Sequence, residues 1–125
     1  MPSLGRRKRV LVIDDDPVAL GIVRVRLEAE GFKVITHDNS LGTSALVLRE
    51  QPHVILLDIS MPGLSGNSLA RLSALRGTPI IYHSSKSQDE LDRLVRETKV
   101  LGAIRKTSDA GKFVAEFYLL LRRVA

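Results

Sequence analysis

A chain of 125 residues, 44% hydrophobic and 26% charged, has the size and composition of one ordinary globular domain with one core. It has no cysteine, which excludes a disulfide framework and a thiolate metal site, and no apolar run of the roughly eighteen residues a membrane span needs. Much of the formal charge of +5 comes from Arg6, Arg7, Lys8 and Arg9, so the excess reads as a basic tail over residues 1–8 and not as a nucleic-acid face, for which aromatics at 4% are also sparse.

Val10-Leu11-Val12-Ile13 is too short for the core of a signal peptide and runs into three aspartates, so it reads as a first strand and the expected location is cytoplasmic. Asp16-Pro17 starts a helix, with a capping carboxylate and proline at its first position. Leu20, Val23 and Leu27 form its inner face and Gly31 its end. Lys33 to Thr36 is a second strand. A second helix is expected from Ser40, carrying Ala45, Leu46 and Leu48 and closed by Pro52. Val54-Ile55-Leu56-Leu57 is apolar on both faces, as a central parallel strand must be.

Met61-Pro62-Gly63 breaks into a loop, and a helix with Leu69, Leu72 and Leu75 follows to Gly77. Ile80 to His83 is a fourth strand leading into Ser84-Ser85. Ser87 and Glu90 form a capping box for a helix whose Leu91, Leu94 and Val95 face inward. Ala103 to Arg105 is a fifth strand, and a last helix from about Asp109 lines up Val114, Phe117 and Leu121. Strict β–α alternation predicts a doubly wound α/β fold, with five parallel strands in the order 2-1-3-4-5 and five helices over residues 9–125.

In such a sheet the ligand site lies beyond the carboxyl ends of the strands, where the strand order reverses. Those ends carry Asp14-Asp15-Asp16, Asp58, Ser84-Ser85 and Arg105-Lys106. Converging carboxylates need a cation, and magnesium suits oxygen ligands combined with phosphate. Asp58 can serve as ligand and as nucleophile, since carboxylates form acyl phosphates. Lys106 and Ser84 would oppose the charge of a transferring phosphoryl group. His83, beside the site, reads as a packed histidine, and Phe113 and Phe117 as core.

From Arg9 to the last helix the sequence resembles the response-regulator receiver family, also called CheY-like. The resemblance is carried by Val10-Leu11-Val12-Ile13-Asp14-Asp15-Asp16-Pro17, by Ile55 through Asp58 to Gly63, by Pro79-Ile80-Ile81 leading to Ser84, and by Gly102-Ala103-Ile104-Arg105-Lys106. It implies that Asp58 accepts phosphate from the phosphohistidine of a partner kinase or phosphotransfer protein. It also implies that Asp15 binds magnesium directly and Asp14 through water, with Asp58 and the Ser60 backbone carbonyl completing the protein ligands. Lys106 would pair with the phosphoryl oxygens, Ser84 would be the switch hydroxyl, and Ser60 and Lys86 would tune hydrolysis. Output would go to a downstream effector protein, from a monomer or weak dimer, without turnover of a separate substrate and without direct contact with nucleic acid or membrane.

The sequence departs from that pattern twice. Ala103 stands where the family usually has a Tyr or Phe that swings inward, and Thr107 stands where it usually has a proline, often in a cis peptide. With Thr107 a cis bond would cost several kcal/mol, so Lys106 is expected to reach the site from a trans-linked loop. These departures support one alternative, a degenerate receiver acting as a phosphorylation-independent binding module. Asp14-Asp15-Asp16-Pro17-Val18 also resembles the nucleophile motif of haloacid-dehalogenase-type phosphatases, but Arg105 and Lys106 stand where that family needs an acidic pair. A flavodoxin-like cofactor binder would not place three aspartates against its phosphate.

Overall fold

The computed structural model describes residues 8–61 and 77–124. The expected helix with Leu69, Leu72 and Leu75, and residues 1–7 of the basic tail, lie outside the described residues. In chain order the elements are β1 (Arg9–Ile13), α1 (Pro17–Glu28), β2 (Lys33–His37), α2 (Thr43–Glu50), β3 (Val54–Leu57), β4 (Ile80–Ser84), α3 (Gln88–Thr98), β5 (Gly102–Arg105) and α4 (Ala110–Leu121), ending in a 3-10 turn at Arg122–Val124. Four helices are thus present among the described residues. The strands form one parallel sheet in the order β2-β1-β3-β4-β5, with β1 between β2 and β3.

The two-residue period of the strands divides the core between the faces of the sheet. Val10, Val12, Val54 and Leu56 pack with Leu20, Val23 and Leu27 of α1 and with Phe113, Phe117 and Leu121 of α4. Leu11, Ile13, Ile55 and Leu57 pack on the other side with Leu46 and Val47 of α2 and Leu91 of α3. All four residues of β3 are buried, as expected for a strand covered on both faces.

Helix starts follow the expected capping. Asp16 Oδ1 accepts from the Val18 amide at 2.9 Å, Ser87 Oγ from Glu90 at 3.2 Å, and Asp109 Oδ1 from Lys112 at 3.0 Å. The second helix differs from expectation. It begins at Thr43, after Gly42 in the left-handed region at φ 77°, and buries Thr43, Leu46 and Val47 while Ala45 and Leu48 face outward. Leu46 and Val47 are the residues that reach the core, and a window of mixed apolar residues did not reveal which would. Arg9 opens β1, as the boundary of the tail at residue 8 implies, and its guanidinium donates to the carbonyls of Glu50 and Gln51, at 2.8–3.1 Å, where α2 ends.

His83 is 5% exposed and its ring lies 5.3 Å from that of Phe113. Its Nε2 has no hydrogen-bond partner. Burial, and then the charge of Lys106, push its pKa down to about 4, with Arg26 adding to the shift and Asp14 opposing it. Unfolded, the same imidazole takes up a proton near its ordinary value of 6.5, so between those values the unfolded chain binds more protons than the folded one. The stability this residue contributes is therefore complete above about pH 6.5 and is lost as the pH falls toward 4. His83→Leu should remove that component, which is on the order of 3 kcal/mol. Urea unfolding at several values between pH 7.5 and 4.5 should show a flatter loss of stability in the variant than in the parent.

Candidate functional site

The parallel sheet brings the carboxyl ends of β1, β3, β4 and β5 to one edge. Asp14 follows β1, and its amide donates to the His37 carbonyl at 3.1 Å. Asp58 follows β3, and its amide donates to the Ile13 carbonyl at 2.9 Å, which continues the β1–β3 ladder by one residue. Both carboxylates are buried, 2% and 4% exposed, and Asp15 beside them faces solvent. Carboxylate oxygens of Asp14, Asp15 and Asp58 all lie within 4.8 Å of one another.

The two buried carboxylates are held in the same way. Asp14 Oδ1 accepts from the Asp16 amide at 2.9 Å, and Asp58 Oδ1 from the Ser60 amide at 2.9 Å. Each is a local turn in which the side chain binds the backbone two residues on. The second oxygens converge on Lys106, whose Nζ lies 2.9 Å from Asp14 Oδ2 and 3.3 Å from Asp58 Oδ2. Burial alone would lower the lysine's pKa, but its contact with Asp14 and the charges of Asp58 and Asp14 outweigh that, and the net shift is upward. The ammonium is thus held charged between the carboxylates.

Lys106 reaches them from a loop with no cis peptide, as expected for a threonine at 107. Its amide donates to the Ser84 carbonyl at 2.8 Å, which ties the loop to the end of β4. Ser84 is fully buried. Its Oγ accepts from the Lys86 amide at 3.2 Å and lies 3.4 Å from Ser60 Oγ. The structure therefore gathers Asp14, Asp15, Asp58, Ser60, Ser84 and Lys106. It turns the Lys86 ammonium toward Glu90 instead, at 4.0 Å.

Ala103 stands directly across from Tyr82 in the β4–β5 register. Tyr82 is buried, and its hydroxyl lies 2.6 Å from Thr98 Oγ1, which donates to the Leu94 carbonyl in the last turn of α3. This face of the sheet thus holds a ring, but β4 carries it and not β5. Sequence reading passed over Tyr82, since one tyrosine in an apolar strand signals core. Arg26 also escaped it, and Arg105 was placed at its strand end without its contact. Arg105 Nε donates to the Lys86 carbonyl at 3.0 Å and Arg26 Nη1 to the Thr107 carbonyl at 3.0 Å. Nothing in the local sequence marks either arginine as a partner of these loops.

With Lys106→Met, Asp14 and Asp58 would lose their shared cation while remaining buried. The metal-free variant should be destabilised by about 3 kcal/mol. Asp15→Asn, which removes repulsion and no hydrogen bond, should leave it unchanged or slightly more stable. Urea unfolding of both variants in the presence of a chelator measures the difference.

Comparison with known proteins agrees with this geometry. The model of the response regulator receiver domain matches residues 10–118. Protein PilH of Pseudomonas aeruginosa is 33% identical over 85 residues, covering 65% of this chain and 70% of PilH. The transcriptional regulatory protein KdpE of Mycobacterium tuberculosis is 35% identical over 88 residues, covering 68% of this chain but only 38% of KdpE, so the chain matches well under half of that relative. Among solved structures, the BeF3-activated N-terminal receiver domain of Klebsiella pneumoniae RstA superposes with a TM-score of 0.82 at 25% identity, over 92% of this chain and 99% of that one. With its strand order, its strand-end carboxylates and its lysine in place, the chain belongs to the response regulator receiver domain family.

Proposed function

We propose that this receiver domain takes a phosphoryl group on Asp58 from the phosphohistidine of a partner kinase or phosphotransfer protein, in a magnesium-dependent reaction, and passes the signal to an effector protein. The observation that carries this reading is the pair of buried carboxylates sharing one ammonium. Three carboxylates and one lysine leave two negative charges uncompensated at one strand edge, which is the complement of a divalent cation. The donor set is all oxygen and fits magnesium: Asp14, Asp15 and Asp58 would hold the ion with the Ser60 carbonyl. When bound, magnesium would neutralise the carboxylates and oppose charge on the phosphoryl oxygens.

The protein's own groups have separate tasks. A carboxylate oxygen of Asp58 attacks phosphorus. The P–N bond to the donor imidazole breaks as the P–O bond forms, and the imidazole leaves with the bonding electrons. Lys106, already beside Asp58, pairs with the phosphoryl oxygens. Ser84 turns its hydroxyl toward them, and Ser60 and Lys86 set the access of the water that later returns inorganic phosphate. Such a module signals in the cytoplasm by its phosphorylation state and turns over no separate substrate. Ala103 favours a second reading, a binding module with no phosphorylation step, because β5 offers no ring at the usual place.

Acetyl phosphate with and without magnesium, read by intact mass, separates the two. Magnesium-dependent gain of one phosphoryl group by the parent, and none by Asp58→Asn, is the expected result. No gain under any condition would leave the binding module. Magnesium at tenfold over its Kd should also stabilise the parent by about 1.4 kcal/mol. That gain should be lost in Asp15→Asn, as thermal unfolding would show.

A further inference from the structure

The Lys106 loop is held from an unexpected direction. Arg26, on α1, which packs on the same face of the sheet as α4, donates from Nη1 to the carbonyl of Thr107, at 3.0 Å and 81 residues away in sequence. The same guanidinium lies 5.5 Å from the centre of the Phe113 ring, which is fully buried in α4. Held over a buried ring, the guanidinium has fewer directions in which to aim its donors. Thr107 is held on its other side by its own hydroxyl, which accepts from the Asp109 amide at 3.1 Å, and Asp109 in turn caps α4.

We infer that Arg26 is a positioning residue for Lys106: by binding the Thr107 carbonyl it fixes the loop from which the lysine reaches Asp14 and Asp58. The inference rests on the proposed phosphoryl transfer for its consequence and on geometry alone for its cause. Two anchors hold the backbone on either side of the lysine side chain. One is the Lys106 amide on the Ser84 carbonyl, and the other is the Thr107 carbonyl on Arg26. Removing the second leaves the Thr107 carbonyl unheld and that flank of the loop dependent on the contact of the Thr107 hydroxyl with the Asp109 amide, so that the ammonium can drift from the place where charge develops. Arg26 is not among the carboxylates that would hold a metal, so it takes no direct part in metal binding.

The test compares the parent, Arg26→Met and Arg26→Lys in three measurements: acetyl phosphate labelling at saturating magnesium, magnesium affinity by calorimetry, and amide hydrogen exchange. Arg26→Met should label about tenfold more slowly, since a small misplacement of a charge-stabilising group has an effect of that size. Its magnesium affinity should match the parent's, and exchange should rise at residues 106–109 and not in the strands. Arg26→Lys, which keeps a stem over Phe113 and one donor, should recover part of the rate, and it supplies the reading if the methionine variant fails to fold. Unchanged exchange at residues 106–109 overturns the inference, as does a general rise in exchange or a parallel loss of magnesium affinity. If the parent itself takes no phosphoryl group, the proposed function fails. Hydrogen exchange then still decides whether Arg26 holds the loop.

Discussion

Two buried carboxylates sharing one ammonium are the constraint around which this molecule is arranged. Asp14 and Asp58 end neighbouring parallel strands, and parallel pairing delivers both to the same edge. Water reaches neither well, and ionised groups so placed repel each other strongly unless a cation intervenes. Lys106 is that cation, but a single charge does not balance the pair together with Asp15. Local turns onto the amides of Asp16 and Ser60 occupy one oxygen of each buried carboxylate and leave the other aimed at the lysine. The edge is thus held together by a compensation that is incomplete by two charges, among carboxylates placed so that they could hold a metal ion.

The sheet and its edge were legible in the sequence because they depend on patterns with strong local signals. Alternating apolar runs and helical stripes gave the β–α order, and the all-apolar Val54 to Leu57 marked the central strand. Aspartate and serine before apolar runs located the starts of α1, α3 and α4. The positions of Asp14, Asp58, Ser84 and Lys106 at successive strand ends then followed from topology. The inner face of α2 did not follow, because Ala45, Leu46, Val47 and Leu48 are four apolar residues in a row that fit more than one phase. The helix starts after Gly42, in a left-handed turn, and buries Leu46 and Val47 against the sheet while Ala45 and Leu48 face outward.

The contacts that sequence could not show are those in which a side chain serves a distant backbone. Arg9 on the end of α2, Arg26 on Thr107 and Arg105 on Lys86 all donate to carbonyls. A carbonyl carries no residue identity, so no pairing of residue types betrays the contact in advance. Tyr82 was hidden for another reason: burial explained it fully. Only the register across from Ala103, and the short contact from its hydroxyl to Thr98, reveal that it joins β4 to the last turn of α3. Ser84 lies two residues along the same strand and so on the same face as Tyr82. The strand that carries Ser84 is therefore bound to α3 without any ring on β5.

The same logic bears on Thr107. A proline after the lysine would fix the loop through its ring, whereas threonine leaves the backbone freer and supplies an amide and a hydroxyl in exchange. Here the hydroxyl is used on the Asp109 amide, the carbonyl is used on Arg26, and Asp109 caps the helix that presents Phe113 to the same guanidinium. Ring stiffness has been replaced by a closed set of contacts running from α1 through the loop into α4. Each contact is modest alone, and their value lies in fixing one short segment from both flanks. A lysine that must meet two carboxylates at 2.9 and 3.3 Å needs its backbone held to a fraction of that distance, and these contacts do so without a constrained peptide bond.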